Sequence, residues 1–435
     1  DIIEPDATKR QEYMLSLVLK AIAGALDTHT AYFTPGEASQ FMISVQQRLF
    51  GIGAQLRDDL NGLTVVRIIE GGPAERSGEL KLKDRIIAVD AVPVVGMDIT
   101  DAVELIRGDE GKAVRLTIIR DVGGEGKHQD EKMDVTVTRG EVVLNETRLE
   151  SHVEPFADGV IAYLHLFSFY QDPESSSALD ITRALHKIQE EHKIKGVVLD
   201  LRFNSGGMLS QAVAVTGLFI TRGVVVSIKD DSGRVQHLRD LDGNVIFGGP
   251  MIVVANRASA SAAEIVTQTL QDYGRAIVVG DDHTFGKGTF QTFTLNSQRE
   301  ENVNPQGEYK VTRGTYYTVS GKSPQKKGVP SDILVPGPLA KADIGEQFSD
   351  YALEGGAIAP LFDDELLDIP EAQRQRVAQL YRVNLQPILQ RYTKFLPTLR
   401  TNAETRIAAN KPYQSFLEKI GKEEVEKEEL ERFEG

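Results

Sequence analysis

The sequence has no cysteine and no apolar run that approaches the ~18 residues needed to span a membrane. Without cysteine the chain forms no disulfides and uses no thiol chemistry, an absence compatible with any compartment. The 8 histidines are scattered, with no H-x-x-x-H or H-E-x-x-H pattern, so we expect no metal site and no cofactor. The net charge of −15 argues against a nucleic-acid partner.

What remains is an ordinary globular composition in a long chain. The 435 residues are 41% hydrophobic and 26% charged, enough for two or three domains with a sizeable core. The chain begins at Asp1 without a methionine, which predicts that a leader has been removed. It stops on Gly435 without a closing pattern, so we expect the natural chain to continue.

The stretch most informative about function is a small-residue turn between a predicted strand and a predicted helix. Met251–Ala255 is a short apolar run that predicts a buried strand, and a helical pattern begins at Ala262 after the turn 256–261. Gly274 ends that helix, and 276–280 predicts a second strand. Such a turn presents a serine oxygen at a helix N-terminus, where backbone N–H groups can receive a developing oxyanion.

A serine hydroxyl is a weak nucleophile and needs a base, for which Lys287 is the best candidate. It lies between two glycines and near Phe285 and Phe290, so we expect burial to lower its pKa. In the alternative interpretation Ser259 and Ser261 only cap the helix and the lysine is a surface charge. The residue types alone do not decide between the two.

Two motifs carry a resemblance to a known family. Residues 259–265 read SASAAEI, and residues 284–291 read TFGKGTFQ. They resemble the motifs of the C-terminal processing (tail-specific) proteases, serine peptidases with a Ser–Lys dyad. The resemblance implies that Ser261 is the nucleophile, that Lys287 is the base, and that Gln291 helps to orient the lysine.

The neighbouring positions follow the family pattern with two departures. Ala263 stands where the pattern has its last serine, and the loop 281–283 is one residue longer than the usual Gly-Glu-Pro. Residues 271–274 read QDYG, as in the family, and the resemblance implies a supporting role for Asp272. An aspartate at the end of a helix opposes the helix dipole, so we expect a compensating contact.

A glycine pair follows another predicted strand. Residues 200–207 read DLRFNSGG and follow the predicted strand 196–202. Glycine lets a backbone N–H approach a reacting carbonyl without a side chain in the way. The resemblance implies that the N–H of Gly206 or Gly207 acts with that of Ala262, and the sequence does not separate the two glycines. A simple strand-to-helix turn is compatible with this interpretation.

Residues 46–140 alternate strands and turns and contain one short helical stretch. The order of parts resembles the PDZ domains of bacterial proteases. In PDZ domains a glycine loop captures a terminal carboxylate, and the peptide adds as a strand. The alternative is a small β domain whose glycines only make turns. The resemblance implies these peptide-binding residues: Phe50, Gly51, Ile52, Gly53, Val103 and Ile106.

We therefore predict an α/β multidomain protein. Its mixed α/β protease core has repeated β-β-α units and an inserted PDZ-like domain, with helical regions at both ends. The predicted boundaries are 1–45 for the N-terminal helical region, 46–140 for the PDZ-like domain, 141–339 for the core and 340–435 for the C-terminal helical region. His29, in the stretch before the PDZ-like domain, is interpreted as structural.

The predicted function is that of a serine endopeptidase that recognises the C-terminal tails of unfolded or tagged proteins and works through an acyl-enzyme. Its partners are protein or peptide substrates, and the family's usual location predicts the periplasm or cell envelope of a bacterium. One alternative is a PDZ-based chaperone or binding protein with weak catalysis. Another is an acyl-CoA enzyme of the crotonase type, which would need no Ser–Lys pair.

Overall fold

The computed structural model describes residues 7–123, 129–293 and 307–434. The chain divides into a larger unit, Asp1–Ala38 with Thr147–Gly435, and a smaller unit, Ser39–Glu146. Helices and several sheets confirm the predicted α/β multidomain class. Within the described ranges, none of the helices combines the length and the apolarity needed to cross a bilayer.

The chain enters the smaller unit after an N-terminal helix and a short strand. These first elements are α1 (Ala7–Gly24), β1 (Ala31–Phe33) and α2 (Pro35–Gln46). The smaller unit then contains β2 (Arg48–Gly51), β3 (Ala54–Asp59), β4 (Gly62–Ile68), α3 (Pro73–Ser77), β5 (Arg85–Val89), β6 (Val92–Pro93), α4 (Ile99–Ile106), β7 (Ala113–Asp121), β8 (Asp130–Thr138) and β9 (Gly140–Val143).

The smaller unit has a core of its own. Its main sheet has the order β3-β4-β5-β7-β8 with β6 on β5, and β2 pairs with β9. Alternate residues of the strands, such as Val114, Leu116 and Ile118, are fully buried, as the period of two in a half-buried strand requires. Ala102 and Ile106 of α4 complete this core.

The larger unit continues from Thr147 with alternating strands and helices. In order these are β10 (Leu149–Phe156), β11 (Gly159–Leu166), α5 (Ser177–Glu191), β12 (Ile194–Asp200), α6 (Leu209–Gly217), β13 (Gly223–Asp230), β14 (Val235–Asp240), β15 (Met251–Ala255), α7 (Ala262–Asp272), β16 (Ile277–Gly280), β17 (Thr289–Phe293), β18 (Glu308–Thr318), β19 (Ile333–Leu334), α8 (Glu371–Tyr381), α9 (Leu396–Ala409) and α10 (Lys411–Glu434).

Two sheets organise this unit. One has the order β10-β11-β12-β15-β16-β19, in which every neighbouring pair except β10 and β11 is parallel. Crossover helices such as α5 and α7 make the parallel pairing possible, and the strands are accordingly rich in Val, Ile and Leu. The other sheet has the order β1-β18-β13-β14, with β17 on β18. Residues 281–288 connect β16 of the first sheet to β17 of the second.

Candidate active site

The candidate site lies where three neighbouring parallel strands end. β12, β15 and β16 are adjacent and run in the same direction, so their carboxyl ends lie at one edge of the sheet. Residues 201–208 follow β12, residues 256–261 follow β15, and residues 281–288 follow β16. The fold therefore brings the predicted glycine loop, serine turn and lysine loop to the same edge.

The serine turn has a strained backbone at Ser261. This residue has φ 57° and ψ −114°, a conformation rare outside glycine, directly before α7 begins at Ala262. Ser259 is fully buried instead. Its hydroxyl donates to Leu201 O at 2.8 Å and accepts from Asn256 N at 2.9 Å. Ser259 is therefore a structural group, whereas Ser261 is only half-buried.

Glu264, in the first turn of α7, joins the serine turn to the lysine loop. Its carboxylate is fully buried, and Oε2 accepts from Ser261 N and from Lys287 N, both at 2.9 Å. Oε1 accepts from Gly286 N at 2.7 Å and from Thr284 Oγ1 at 2.5 Å. Burial raises the pKa of this carboxyl to about 7, although the four donors favour its ionised form. Glu264 was not among the residues predicted from the sequence, although it stands inside the serine motif.

Tyr316 of β18 makes a second connection between the same two segments. Its single hydroxyl proton is shared between Lys287 O at 2.5 Å and Ser261 O at 3.1 Å. The ring is buried, and burial raises the pKa of the hydroxyl well above its ordinary value, so it stays a donor. No sequence motif pointed to this residue. The serine turn and the lysine loop are thus held together by one carboxylate and one phenol.

The surroundings of Lys287 favour its neutral form. Burial lowers the pKa of the amine to about 8, and the positive charge of Lys310 acts in the same direction. The carboxylates of Glu346, Glu264 and Asp27 act in the opposite direction. An amine with this pKa is neutral in roughly a tenth of the molecules at pH 7, and the neutral amine can accept a proton.

The predicted dyad is not closed by a hydrogen bond in this state. Within the described ranges, no hydrogen bond joins the Ser261 hydroxyl to the Lys287 amine. The side chain of Gln291 is directed elsewhere, since its Nε2 donates to Thr289 Oγ1 at 3.0 Å and to Thr312 Oγ1 at 3.3 Å. Proton transfer in the predicted dyad therefore requires the two side chains to approach each other.

The predicted oxyanion glycines lie beside the serine turn, and both positions require glycine. Gly206 has φ 105°, and a Cβ there would lie 2.9 Å from Ser261 Cβ and 3.0 Å from Ala262 N. Gly207 has φ 140°, and a Cβ there would lie only 2.3 Å from Phe169 O. A side chain at either position would clash or fill the space next to the serine.

Asn204 engages the first of these glycines. Its buried Oδ1 accepts from Gly206 N at 2.9 Å, and its Nδ2 donates to Leu166 O at 2.8 Å. Its backbone oxygen accepts from Ala260 N, also at 2.9 Å. Within the described residues, Gly207 N donates to no acceptor. The N–H of Gly206 therefore has a hydrogen-bond acceptor, whereas the N–H of Gly207 has none among the described residues.

Asp272 lies at the other end of α7 from the serine turn. The helix spans 11 residues, so the two ends are roughly 15 Å apart. The Asp272 carboxylate accepts from Thr318 Oγ1 at 2.6 Å, which is a compensating contact of the kind expected at a helix end. Burial raises the pKa of this carboxyl. These contacts do not connect Asp272 directly to Ser261 or Lys287.

The smaller unit contains a separate cavity of about 180 Å³. Five of the predicted peptide-binding residues line it, namely Gly51, Ile52, Gly53, Val103 and Ile106. Phe50 is not among the lining residues, and its ring lies 5.2 Å from the Arg48 guanidinium. Arg107 also lines the cavity and donates to Gln40 Oε1 at 3.0 Å. This arginine was not among the predicted peptide-binding residues.

Models of known protein families match two parts of this chain. Residues 160–335 match the model of peptidase family S41, and residues 64–120 match that of the PDZ domain. The carboxy-terminal-processing protease of Bartonella bacilliformis is 33% identical over 333 residues, which cover 74% of this chain and 70% of that protein. The chain belongs to peptidase family S41.

Membership of family S41 confirms the resemblance to C-terminal processing proteases. The tail-specific protease of Haemophilus influenzae is 36% identical over 346 residues, or 78% of this chain. The match covers 48% of that protein, so the S41 chain spans about half the length of this relative. A solved structure of the photosystem II D1 C-terminal processing protease has 25% identity and a TM-score of 0.43, covering 77% of this chain and 84% of that one.

Proposed function

We propose that this S41 chain is a serine endopeptidase in which Ser261 and Lys287 form the catalytic dyad. The observation that carries the proposal is that the Glu264 carboxylate accepts hydrogen bonds from the backbone N–H groups of both Ser261 and Lys287. We call this contact the Glu264 clamp. It holds a strained serine turn beside a lysine whose pKa is lowered to about 8. The names of the Haemophilus and Bartonella relatives support the same reaction class.

In the proposed reaction, neutral Lys287 accepts the hydroxyl proton of Ser261, whose Oγ attacks the peptide carbonyl carbon. The N–H groups of Ala262 and of Gly206 or Gly207 stabilise the oxyanion of the tetrahedral intermediate. The protonated lysine then gives its proton to the leaving amine as the acyl-enzyme forms. Water attacks the ester with Lys287 again as the base, which restores the serine. Substrate binding must first bring the serine and lysine side chains into contact.

Substrate selection is assigned in this proposal to the PDZ unit. Its cavity is lined largely by apolar residues next to a glycine loop, which suits an apolar C-terminal tail and its carboxylate. Unfolded or tagged proteins would present such tails. The relatives support a bacterial source, and we include in the proposal the cell envelope or periplasm that the family resemblance implies.

The test is cleavage of one unfolded reporter protein that carries either an apolar or an acidic C-terminal tail. Wild type, Ser261→Ala and Lys287→Ala are compared with two matched controls, Ser232→Ala and Lys327→Ala, at exposed positions. We expect wild type and controls to cleave the apolar-tailed reporter faster. Each dyad variant should lose about 10⁴-fold or more in kcat/KM.

Cleavage that survives in both dyad variants would overturn the dyad. Equal cleavage of both reporters would overturn tail selection and leave the peptidase. The rival function, a PDZ-based chaperone, predicts instead that Ser261→Ala keeps the full effect on a client protein. We would measure how far wild type and Ser261→Ala each prevent aggregation of a client protein. Equal prevention by both would indicate the chaperone function rather than proteolysis.

A further inference from the structure

A largely buried hydrogen bond between His29 and Glu346 lies close to the lysine loop and is unused by the proposed reaction. His29 Nε2 and Glu346 Oε2 are 2.7 Å apart, and the Glu346 side chain is only 1% exposed. His29 lies between α1 and β1, whereas Glu346 begins a short 3₁₀ turn, Glu346–Phe348, after the protease core. Two segments more than 300 residues apart in sequence therefore meet here.

Gln325 extends this pair to the lysine loop. Its Nε2 donates to Glu346 Oε1 at 3.0 Å and to Leu353 O at 2.8 Å. Its Oε1 accepts from Gly288 N at 2.6 Å. Gly288 directly follows Lys287, and a Cβ there would lie 2.7 Å from Gln325 N, so the loop is packed tightly against the glutamine. The chain of contacts thus runs from His29 to the backbone next to the base.

The N-terminal end of this chain is itself fixed. Asp27 is buried, and its Oδ1 accepts from His29 N at 2.9 Å and from Thr30 N at 3.0 Å. The same oxygen accepts from Thr312 Oγ1 of β18 at 2.8 Å. The backbone of His29 therefore has little freedom, and the imidazole can hold the Glu346 carboxylate in one place.

We propose that His29, Glu346 and Gln325 form a positioning network that holds Gly288, and through it the amine of Lys287, where it can take the serine proton. The proposal rests on the proposed role of Lys287 as the base. A hydrogen-bonded chain of buried groups fixes its members more strongly than separate exposed bonds. None of the three residues is assigned contact with the substrate, so they act through the lysine loop.

The charge of Glu346 gives the network an effect that a purely structural contact would lack. The charged groups that act on the Lys287 amine are Lys310, Glu346, Glu264 and Asp27. Of these, the three carboxylates favour the protonated amine. Removing the charge of Glu346 while keeping its shape should therefore make the lysine a weaker base, neutral at lower pH.

Glu346→Gln tests the charge. The amide oxygen can still accept from Gln325 Nε2, and its NH₂ can donate to the other tautomer of His29, so the contacts survive. We expect the midpoint of the kcat/KM–pH profile to move down by about half a pH unit or more. The matched control is Glu354→Gln on the same segment, whose carboxylate pairs with Lys326 at an exposed position, and its profile should equal that of wild type.

Gln325→Met tests the positioning, because methionine fills the space but cannot accept from Gly288 N. We expect kcat to fall about 10- to 100-fold while KM stays within about twofold, since the base moves and the tail-binding cavity does not. The control is Gln347→Met, the same substitution at the exposed position next to Glu346. A change in KM without a fall in kcat for Gln325→Met would overturn the proposal. So would a kcat/KM–pH profile of Glu346→Gln with the same midpoint as wild type.

Trace acetylation of Lys287 with acetic anhydride, read by peptide mass spectrometry across pH, measures the amine without any proteolysis. The midpoint of labelling should move down in Glu346→Gln and stay in place in Glu354→Gln. If wild type cleaves no reporter, the proposed function fails, and this shift still decides whether Glu346 acts on the amine. Identical midpoints in wild type and Glu346→Gln would overturn the network whatever the activity.

Discussion

The pKa of the Lys287 amine depends on opposing charges around it. Burial and the positive charge of Lys310 lower its pKa, and three carboxylates raise it. Lys310 lies on β18, and its amine is 5.5 Å from the centre of the Phe33 ring. As the proposed base, Lys287 works only when neutral, so we expect kcat/KM to rise with pH and level off above the pKa of about 8.

Lys310→Met should shift this profile to higher pH. Methionine keeps most of the length and the contact with Phe33, but it removes a positive charge that disfavours protonation of Lys287. The profile of kcat/KM against pH, measured between pH 6 and 10, checks the direction. Lys322→Met, at an exposed position, is the matched control. A midpoint that stays in place or moves down would contradict this account of the lysine.

At the scale of elements, the sequence predicted the strands and loops better than the contacts between them. The apolar runs located β12, β15 and β16, and the glycine and serine motifs located the loops after them. The contacts of Glu264 and Tyr316 could not be predicted, because Tyr316 is 55 residues from Ser261 in sequence and its contact depends on the packing of α7 against β18. His29, interpreted as structural, has a buried partner that no local pattern indicates.

The N-terminal helix illustrates another limit of sequence patterns. The apolar pattern over 13–26 predicts a helix, and the structure has α1 at Ala7–Gly24. The side chains that made the pattern, such as Leu15 and Ile22, are nevertheless exposed by more than half, at 58% and 57%. Periodicity reports that one face is apolar, but it does not report which partner covers that face.

Helix α4 is the element that should decide tail selection. Val103 lines the cavity of the smaller unit, and Glu104, the next residue, is exposed. Val103→Asp places a carboxylate against an apolar tail that ends in another carboxylate, so we expect the Kd of an apolar tail peptide to rise about 30-fold or more. Fluorescence anisotropy of a labelled peptide measures this.

Glu104→Gln serves as the control for that substitution and should leave the Kd of the peptide unchanged. Turnover of a short peptide without the tail should be the same in Val103→Asp as in wild type, because the substitution is not in the protease core. If Val103→Asp binds the tail peptide with the same Kd as wild type, the cavity next to Gly51 and Gly53 is not the tail-binding site.

At the scale of the whole molecule, the chain consists of a peptidase unit interrupted by a second unit with a separate core. The smaller unit, Ser39–Glu146, buries its own cluster of apolar residues, among them Leu63, Ile86 and Leu116. A domain of about 100 residues with its own core can in principle fold alone. The larger unit holds the serine turn, the lysine loop and the His29–Glu346 pair, so these should not depend on the core of the smaller one.

The excised unit Ser39–Glu146 should therefore fold on its own. We expect one cooperative urea transition by circular dichroism, with an m-value of about 1–2 kcal/mol/M for a domain of this size. It should bind the apolar tail peptide with a Kd within about threefold of that of the full chain carrying Ser261→Ala, because the residues that line the cavity all belong to this unit. Folding without binding would show that the tail site needs residues outside 39–146. A broad transition without cooperativity would show that the core of this unit depends on the rest of the chain.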